Sequence, residues 1–240
     1  MTSEKQPSSL WERLEKPAQA PRASLTHQQI AKAAIAIADT DGLAAVSMRR
    51  LAEALGVSTM ALYRYVSSKN DIFELMSDAL AAITLPSGDG TTWRTVLTSL
   101  AEQSRASALR HPWLIQIAAQ HPHILTPNML AAAEQVLTAL DGLGLDVDTN
   151  MAITNAVISL THGVTGNEIA QRQYLRRSGN DATVDSRFVF EPRISWIMGT
   201  GRYPTLTRYM VDGSNTDDAQ WQFEFGLECL LDGIAARLGI

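Results

Sequence analysis

The chain has 240 residues and a formal charge of −5, and it is rich in alanine and leucine with only 6% aromatic residues. That composition favours helices around one sizeable core or two small ones. A single cysteine, Cys229, excludes an intrachain disulfide, and no apolar run is long enough to span a bilayer or to form a signal core, so a cytoplasmic protein is expected.

In chain order, residues 1–24 read as a mobile arm with one short turn near Leu10–Leu14. Prolines 7, 17 and 21 interrupt it, and Lys5, Arg13 and Lys16 are offset by Glu4, Glu12 and Glu15. Arg22 is the arm residue best placed to enter a minor groove, although a loose tail is the better fit. The first helix starts at a capping box, Thr26 with Gln29. It carries the stripe Ile30, Ala33, Ala34, Ile37 and Ala38, and stops at Gly42.

Residues 47–69, SMRRLAEALGVSTMALYRYVSSK, read as a helix-turn-helix. Ser47 caps a short helix with Leu51, Ala52 and Leu55 on one face, and Gly56 supplies the left-handed residue that ends it. Small Ala52 lets the two helices approach. Ser58 caps a second helix, Thr59–Tyr65, with Val57, Leu62 and Val66 inward and Thr59, Met60, Tyr63, Arg64 and Tyr65 outward.

The outward residues suit a major groove. Thr59 and Tyr63 can donate to phosphates, Arg64 can reach a guanine edge or a phosphate, and Met60 and Ala61 can touch thymine methyls. Ser47, Arg49 and Tyr65 complete the expected contact set with Lys69, which opens the next helix where free backbone N–H groups can hold a phosphate. The same residues also fit a solvated face of an ordinary helix pair. From Arg22 to Lys69 six basic residues face the three acids Asp39, Asp41 and Glu53, a net +3 that leaves −8 for the rest of the chain. No lysine follows Lys69. A basic head on an acidic body suggests that DNA touches the head alone.

Ser68 and Asp71 cap the helix opening at Lys69, whose Ile72, Leu75, Met76, Ala79 and Leu80 face a core. LPSGDGTT, Leu85–Thr92, then ends the DNA-binding domain, taken as residues 25–85. The remaining 86–240 continue as helices: about Trp93–Leu109, Trp113–Ala119, Pro127–Leu143, Asp146–Arg176, a short piece at Ile194–Met198, and Asp217–Leu238. A polar stretch at Arg177–Arg187 interrupts them. No strand pattern or internal repeat occurs, so the fold class is all-α. The long helix carries an apolar seam of Ile153, Val157, Leu160 and Val164. The last carries Phe223, Leu227, Leu230, Leu231, Ile234 and Leu238, with Trp221, Phe225 and Cys229 widening its apolar arc. Such arcs need two partners, which predicts a four-helix homodimer interface; the core of a monomer is the other solution. Cys229 is expected to pack in the interior rather than sense redox.

Leu25–Met76, with its leading helix, helix pair, LYRYV block and following lysine, resembles the DNA-binding domain of the tetracycline-repressor (TetR) family of bacterial transcriptional regulators. TWRTVLTSLA, RHPWL (Arg110–Leu114), TPNML (Thr126–Leu130) and LDGLGLD (Leu140–Asp146) resemble the ligand-binding domain of that family's tetracycline-repressor branch. The resemblance implies a DNA operator, a homodimer, and a small-molecule pocket whose occupation swings the helix after Lys69. A two-fold dimer would set its reading helices ~34–36 Å apart, or a multiple, on a palindromic operator.

Candidate pocket residues, polar or aromatic within apolar helices, are Trp113, His121, Asn155, Thr161, His162 and Arg172. A satisfied structural role fits each of them as well. Where the tetracycline repressor places a histidine for a drug–magnesium chelate, this chain reads Gln116-Ile117, so neither metal nor tetracycline is expected. His121-Pro-His123 lacks the company of a zinc site. No catalytic motif or cofactor motif is present: there is no G-x-S-x-G, P-loop, H-E-x-x-H or cysteine cluster, and Gly199-Thr-Gly201 lacks a strand before it. The expected function is a ligand-responsive repressor; a helical small-molecule enzyme or a constitutive architectural DNA-binding protein are the alternatives.

Overall fold

A computed structural model describes residues 9–15, 25–177, 179, 196–215 and 218–240. Among them are eleven labelled helices and no strand. They are α1 Leu10–Glu15, α2 His27–Asp41, α3 Met48–Leu55, α4 Thr59–Leu62, α5 Lys69–Ala81, α6 Trp93–Arg110, α7 Trp113–Gln120, α8 Pro127–Asp141, α9 Val147–Arg177, α10 Pro204–Asp212 and α11 Ala219–Leu238. A helical turn occupies 196–199. The expectations for Arg22, for most of the polar stretch after Arg177, for Ile194 and for Asp217 fall outside the described residues. The chain forms two units, 1–150 and 151–240.

Local chemistry in the first unit follows the sequence closely. The Thr26 hydroxyl accepts from Gln29 N at 3.1 Å, while the Gln29 side chain accepts from Thr26 N at 2.9 Å. Ser47, Ser58 and Ser68 cap α3, α4 and α5 through the same N-cap-to-N3 bond. Gly56 ends α3 at φ +66°, a conformation that a side chain would strain. Ile30, Leu51, Leu62, Val66, Ile72 and Met76 are fully buried, each contributing about 1.5–3 kcal/mol of transfer free energy. Ala52 is buried at the crossing of α3 and α4.

This core does not stop at the end of α5. Trp113, Ile117 and Ile124, from α7 and the loop beyond it, are buried in the same cluster as the helix-turn-helix. Two polar clamps accompany them. One oxygen of Asp39 on α2 accepts from Trp113 Nε1 at 2.7 Å and is bonded to His111 Nδ1 at 2.8 Å. A carboxylate only accepts, so His111 carries a proton on Nδ1. On α5, Asp78 accepts from Asn128 N at 2.9 Å and from Asn128 Nδ2 at 3.0 Å, which seats the carboxylate at the start of α8.

The expectation of a mobile arm does not hold for residues 10–15. Leu10 is buried, Trp11 and Leu14 pack on the head's core, and Arg13 Nη2 donates to Asp71 Oδ2 at 2.5 Å. Charge balance alone suggested a loose tail, but one turn of helix gathers Leu10, Trp11 and Leu14 onto one side, where the core offers a partner.

In the second unit, α9 buries Ile153, Thr154, Val157, Thr161, Thr165, Glu168 and Ile169, and α11 buries Phe223, Leu227 and Leu231. A Cβ at Gly226 would lie 3.7 Å from Leu160 Cδ1, so the two helices approach closely there. Cys229 is exposed, contrary to the interior position expected of it, because it falls across the helix from the 223–227–231 line. α10 buries no residue, and Tyr203, Leu206, Tyr209 and Val211 in and beside it are exposed.

Candidate nucleic-acid interface and effector region

The reading element is short. α4 covers Thr59–Leu62, after which Arg64 N and Tyr65 N bond back three residues, to Ala61 O and Leu62 O, instead of four. The chain thus tightens into a 3₁₀-like turn through Tyr65, where sequence periodicity predicts continuous α-helix. Tyr65 sits at the end of this turn and is not fully outward as expected. It is half-buried, its carbonyl accepts from His27 Nε2 at 3.2 Å, and its ring meets His27 edge-on at 5.7 Å. These contacts fix the Tyr65 backbone and ring edge on α2.

What remains outward is a compact row. Met60 is 76% exposed at the start of α4, Tyr63 is 47% exposed, Arg64 is exposed, and Thr59 and Ala61 are half-exposed. Arg64 has no ion pair among the described residues. The Ser47 hydroxyl accepts from Arg50 N at 3.3 Å as the cap of α3, which leaves its O–H able to donate. Arg49 is exposed with Glu53 at 3.6 Å, an exposed i,i+4 pair weak enough to yield to a phosphate. Arg50, which sequence reasoning counted only as charge, is paired with Asp41. Lys69 is exposed at the first position of α5, its ammonium 5.3 Å from the Phe73 ring centroid.

The six candidate pocket residues do not form one constellation. Trp113 is buried in the head's core on Asp39, and His121 is half-buried against Phe73, ring centroids 5.3 Å apart. Burial in that core accounts for Trp113, which corrects its reading as a ligand contact, while His121 keeps a partly exposed ring. The His121 and His123 rings lie edge to face at 6.1 Å.

On α9, Thr161 is buried with its hydroxyl donating to Val157 O at 2.8 Å, whereas Asn155 and His162 lie on the exposed face. Helical spacing places 155 and 162 together but turns 161 about 100° away from them, a separation that a list of polar residues conceals. Desolvation nonetheless holds the His162 pKa below its ordinary value. Arg172 is exposed and paired with buried Glu168. Sequence reasoning named Thr161 but missed its buried polar neighbours Thr154, Thr165 and Glu168, whose spacings of seven, four and three residues along that line were the available signal. Elsewhere in this unit, Trp196, Ile197, Thr200, Arg202, Tyr203 and Leu206 line an open groove of about 280 Å³.

The expected interface set is corrected in the same way. Ile153, Val157, Phe223, Leu227 and Leu231 are buried within a single chain, and Leu160, Val164 and Leu230 are partly so. Apolar stripes on α9 and α11 satisfy the protomer first. Trp221 and Phe225 stay exposed and stack on each other, ring centroids 5.1 Å apart and planes within 12°.

No helix of the described residues is long and apolar enough to cross a membrane. Residues 30–76 match the model for bacterial regulatory proteins of the tetR family, and 85–238 match the tetracyclin repressor-like C-terminal domain. The HTH-type transcriptional repressor DrrR1 of Streptomyces coeruleorubidus is 35% identical, with the alignment covering 94% of this chain and 83% of that repressor. A Streptomyces coelicolor structure described as a "possible TetR family transcriptional regulator" superimposes with a TM-score of 0.69 at 28% identity, covering 88% of this chain and 99% of the other. ActR of the same organism, in complex with actinorhodin, has a TM-score of 0.74 at 22% identity and covers 89% and 97%, a likeness of fold. With both of its domains matched and its capped helix pair presenting Met60, Tyr63 and Arg64, the chain belongs to the TetR family and is a helix-turn-helix DNA-binding transcriptional regulator.

Proposed function

We propose that the protein is a cytoplasmic, non-enzymatic repressor that grips a palindromic operator as a homodimer and is released by a small-molecule effector. The observation that carries the DNA reading is the exposed row Met60, Tyr63, Arg64 and Lys69 on a rigid, fully packed head. Lys69, at the open end of α5, takes a backbone phosphate. Lys69→Ala is therefore expected to weaken binding on every sequence and to lower the slope of log affinity against log salt by about one unit per protomer. An unchanged slope removes Lys69 from the interface. The reading as a whole is tested by titrating the purified protein onto the intergenic DNA flanking its own gene and onto a scrambled duplex. Tight, sequence-dependent binding of two protomers per site is expected; equal binding to both duplexes contradicts it.

The homodimer is supported by what a single chain leaves uncovered: the Trp221–Phe225 stack on α11 and an α10 with no buried residue. A nine-residue helix gains little stability by itself and needs a surface to pack on. Phe225→Asp is expected to yield a folded monomer on sedimentation, whereas Leu227→Asp, inside the protomer, abolishes soluble protein. A dimeric Phe225→Asp variant would place the interface elsewhere.

The effector site is drawn to the buried polar line of α9, where Thr161, Thr165 and Glu168 offer hydroxyls and a carboxylate inside an otherwise apolar unit. ActR, which shares the fold, was crystallised with actinorhodin. That complex makes actinorhodin the first compound to screen.

A further inference from the structure

α1 precedes the part of the chain that the family's DNA-binding model matches, which begins at residue 30. It nevertheless docks on the end of α5 that opens with Lys69. Asp71, the third residue of α5, accepts from Ser67 N at 2.8 Å and from the Ser68 hydroxyl at 2.8 Å, so its carboxylate is built into the cap of that end. Glu74, one turn further on, is held above its ordinary pKa by burial and by the charge of Asp71. Two carboxylates therefore stand behind a position that has to receive a phosphate, an arrangement that repels DNA unless something cancels it. Arg13 supplies the cancelling charge: its Nη2 lies 2.5 Å from Asp71 Oδ2, with the Asp71 side chain only 13% exposed. Leu10, Trp11 and Leu14 fix the helix that delivers it.

We propose that Arg13 tunes DNA affinity without touching DNA, by neutralising Asp71 at the phosphate-receiving end of α5. This inference rests on the reading of Lys69 given above. It makes α1 part of the DNA-binding head and Arg13 a positioning and charge-balancing residue. Because Asp71 is largely shielded from solvent and lies in the first turn of α5, about 3 Å along the axis from Lys69, its uncompensated charge is felt at that end with limited screening.

The test is fluorescence anisotropy of the full-length protein on a random-sequence 30-base-pair duplex across a salt series. Arg13→Gln is expected to weaken binding about three- to ten-fold, with circular dichroism and thermal midpoint showing a folded head, and Arg13→Lys is expected to keep the wild-type affinity. Asp71→Asn in the Arg13→Gln background restores affinity to within about two-fold. Glu12→Gln in that background restores the same net charge at an exposed site and does not restore binding. Arg13→Gln with no loss of affinity overturns the proposal, as does rescue by Glu12→Gln, which would make the effect one of overall charge. Failure of Asp71→Asn to rescue, with a salt slope lowered by about one unit per protomer, also overturns it, because Arg13 would then be holding a phosphate itself. If Arg13→Gln unfolds α1, Asp71→Asn alone decides: tighter binding supports the proposal and unchanged binding refutes it. Lys69→Ala in the same assay separates the two readings. An inert Lys69→Ala sinks the phosphate site, while a weakened Lys69→Ala beside an inert Arg13→Gln sinks only this inference.

Discussion

Asp39→Ala is expected to destabilise the first unit by about 2–4 kcal/mol, seen in urea denaturation as a lower midpoint at an unchanged m-value. The residue looks unremarkable, a surface acid near the end of α2, yet a single oxygen serves two side chains from the other end of the unit. Trp113 is 3% exposed and His111 8% exposed, so without Asp39 their N–H groups are buried with no acceptor of comparable strength. Leaving a buried donor unsatisfied costs about 1–3 kcal/mol, and hydrogen bonds to a charged acceptor lie at the upper end of the range. Partial exposure of the Asp39 side chain, 33%, moderates the total because water can reach part of the site. Asp39→Asn keeps a carbonyl oxygen for the two donors but removes the charge, and should lose about half as much. An Asp39→Ala protein that unfolds at the wild-type midpoint would show the clamp to be ornamental, leaving Trp113 and Ile117 to hold α7 by packing alone.

Arg64→Ala is expected to weaken operator binding by ~1–3 kcal/mol per half-site, and about twice that for a dimer engaging both. The side chain is exposed and has no ion pair among the described residues, so it meets DNA without first breaking a protein contact. The tight turn from Tyr63 to Tyr65 holds it, with Arg64 N bonded to Ala61 O at 3.3 Å and Tyr65 anchored on His27. An arginine presented on so short and rigid a segment can make the bidentate contact to guanine that a lysine cannot. Competition between operator and scrambled DNA checks the assignment. A selective loss on the operator marks base reading, and an equal loss on both duplexes reduces Arg64 to a phosphate contact.

Much of the head was legible in advance because its information is local. Capping residues one turn apart, a glycine at a left-handed position and a 3.6-residue apolar stripe each act within a few residues, and Thr26–Gln29, Ser47, Gly56, Ser58 and Ser68 behave as their types predict. Met60, Tyr63, Arg64 and Lys69 were readable for the same reason, being polar or exposed by exclusion from that stripe. Tyr65 was not, since its inward turn depends on His27, thirty-eight residues away.

The body was less legible. An apolar stripe announces that it will be covered without naming what covers it, so Phe223 and Leu227 read as an interface although α11 buries them within the protomer. Cys229 and Trp221 belong to the same wide arc and ended outside it.

The sequence by itself determined the helical class, the helix-turn-helix and the exposed row on its second helix, because short-range caps and periodicity specify them. Only the tertiary structure decided that α1 docks, that Trp113 belongs to the head, and that Asp39 and Asp71 each hold a distant partner. Such pairings depend on which surfaces meet in space, and residues separated by 58 or 74 positions leave no periodic trace.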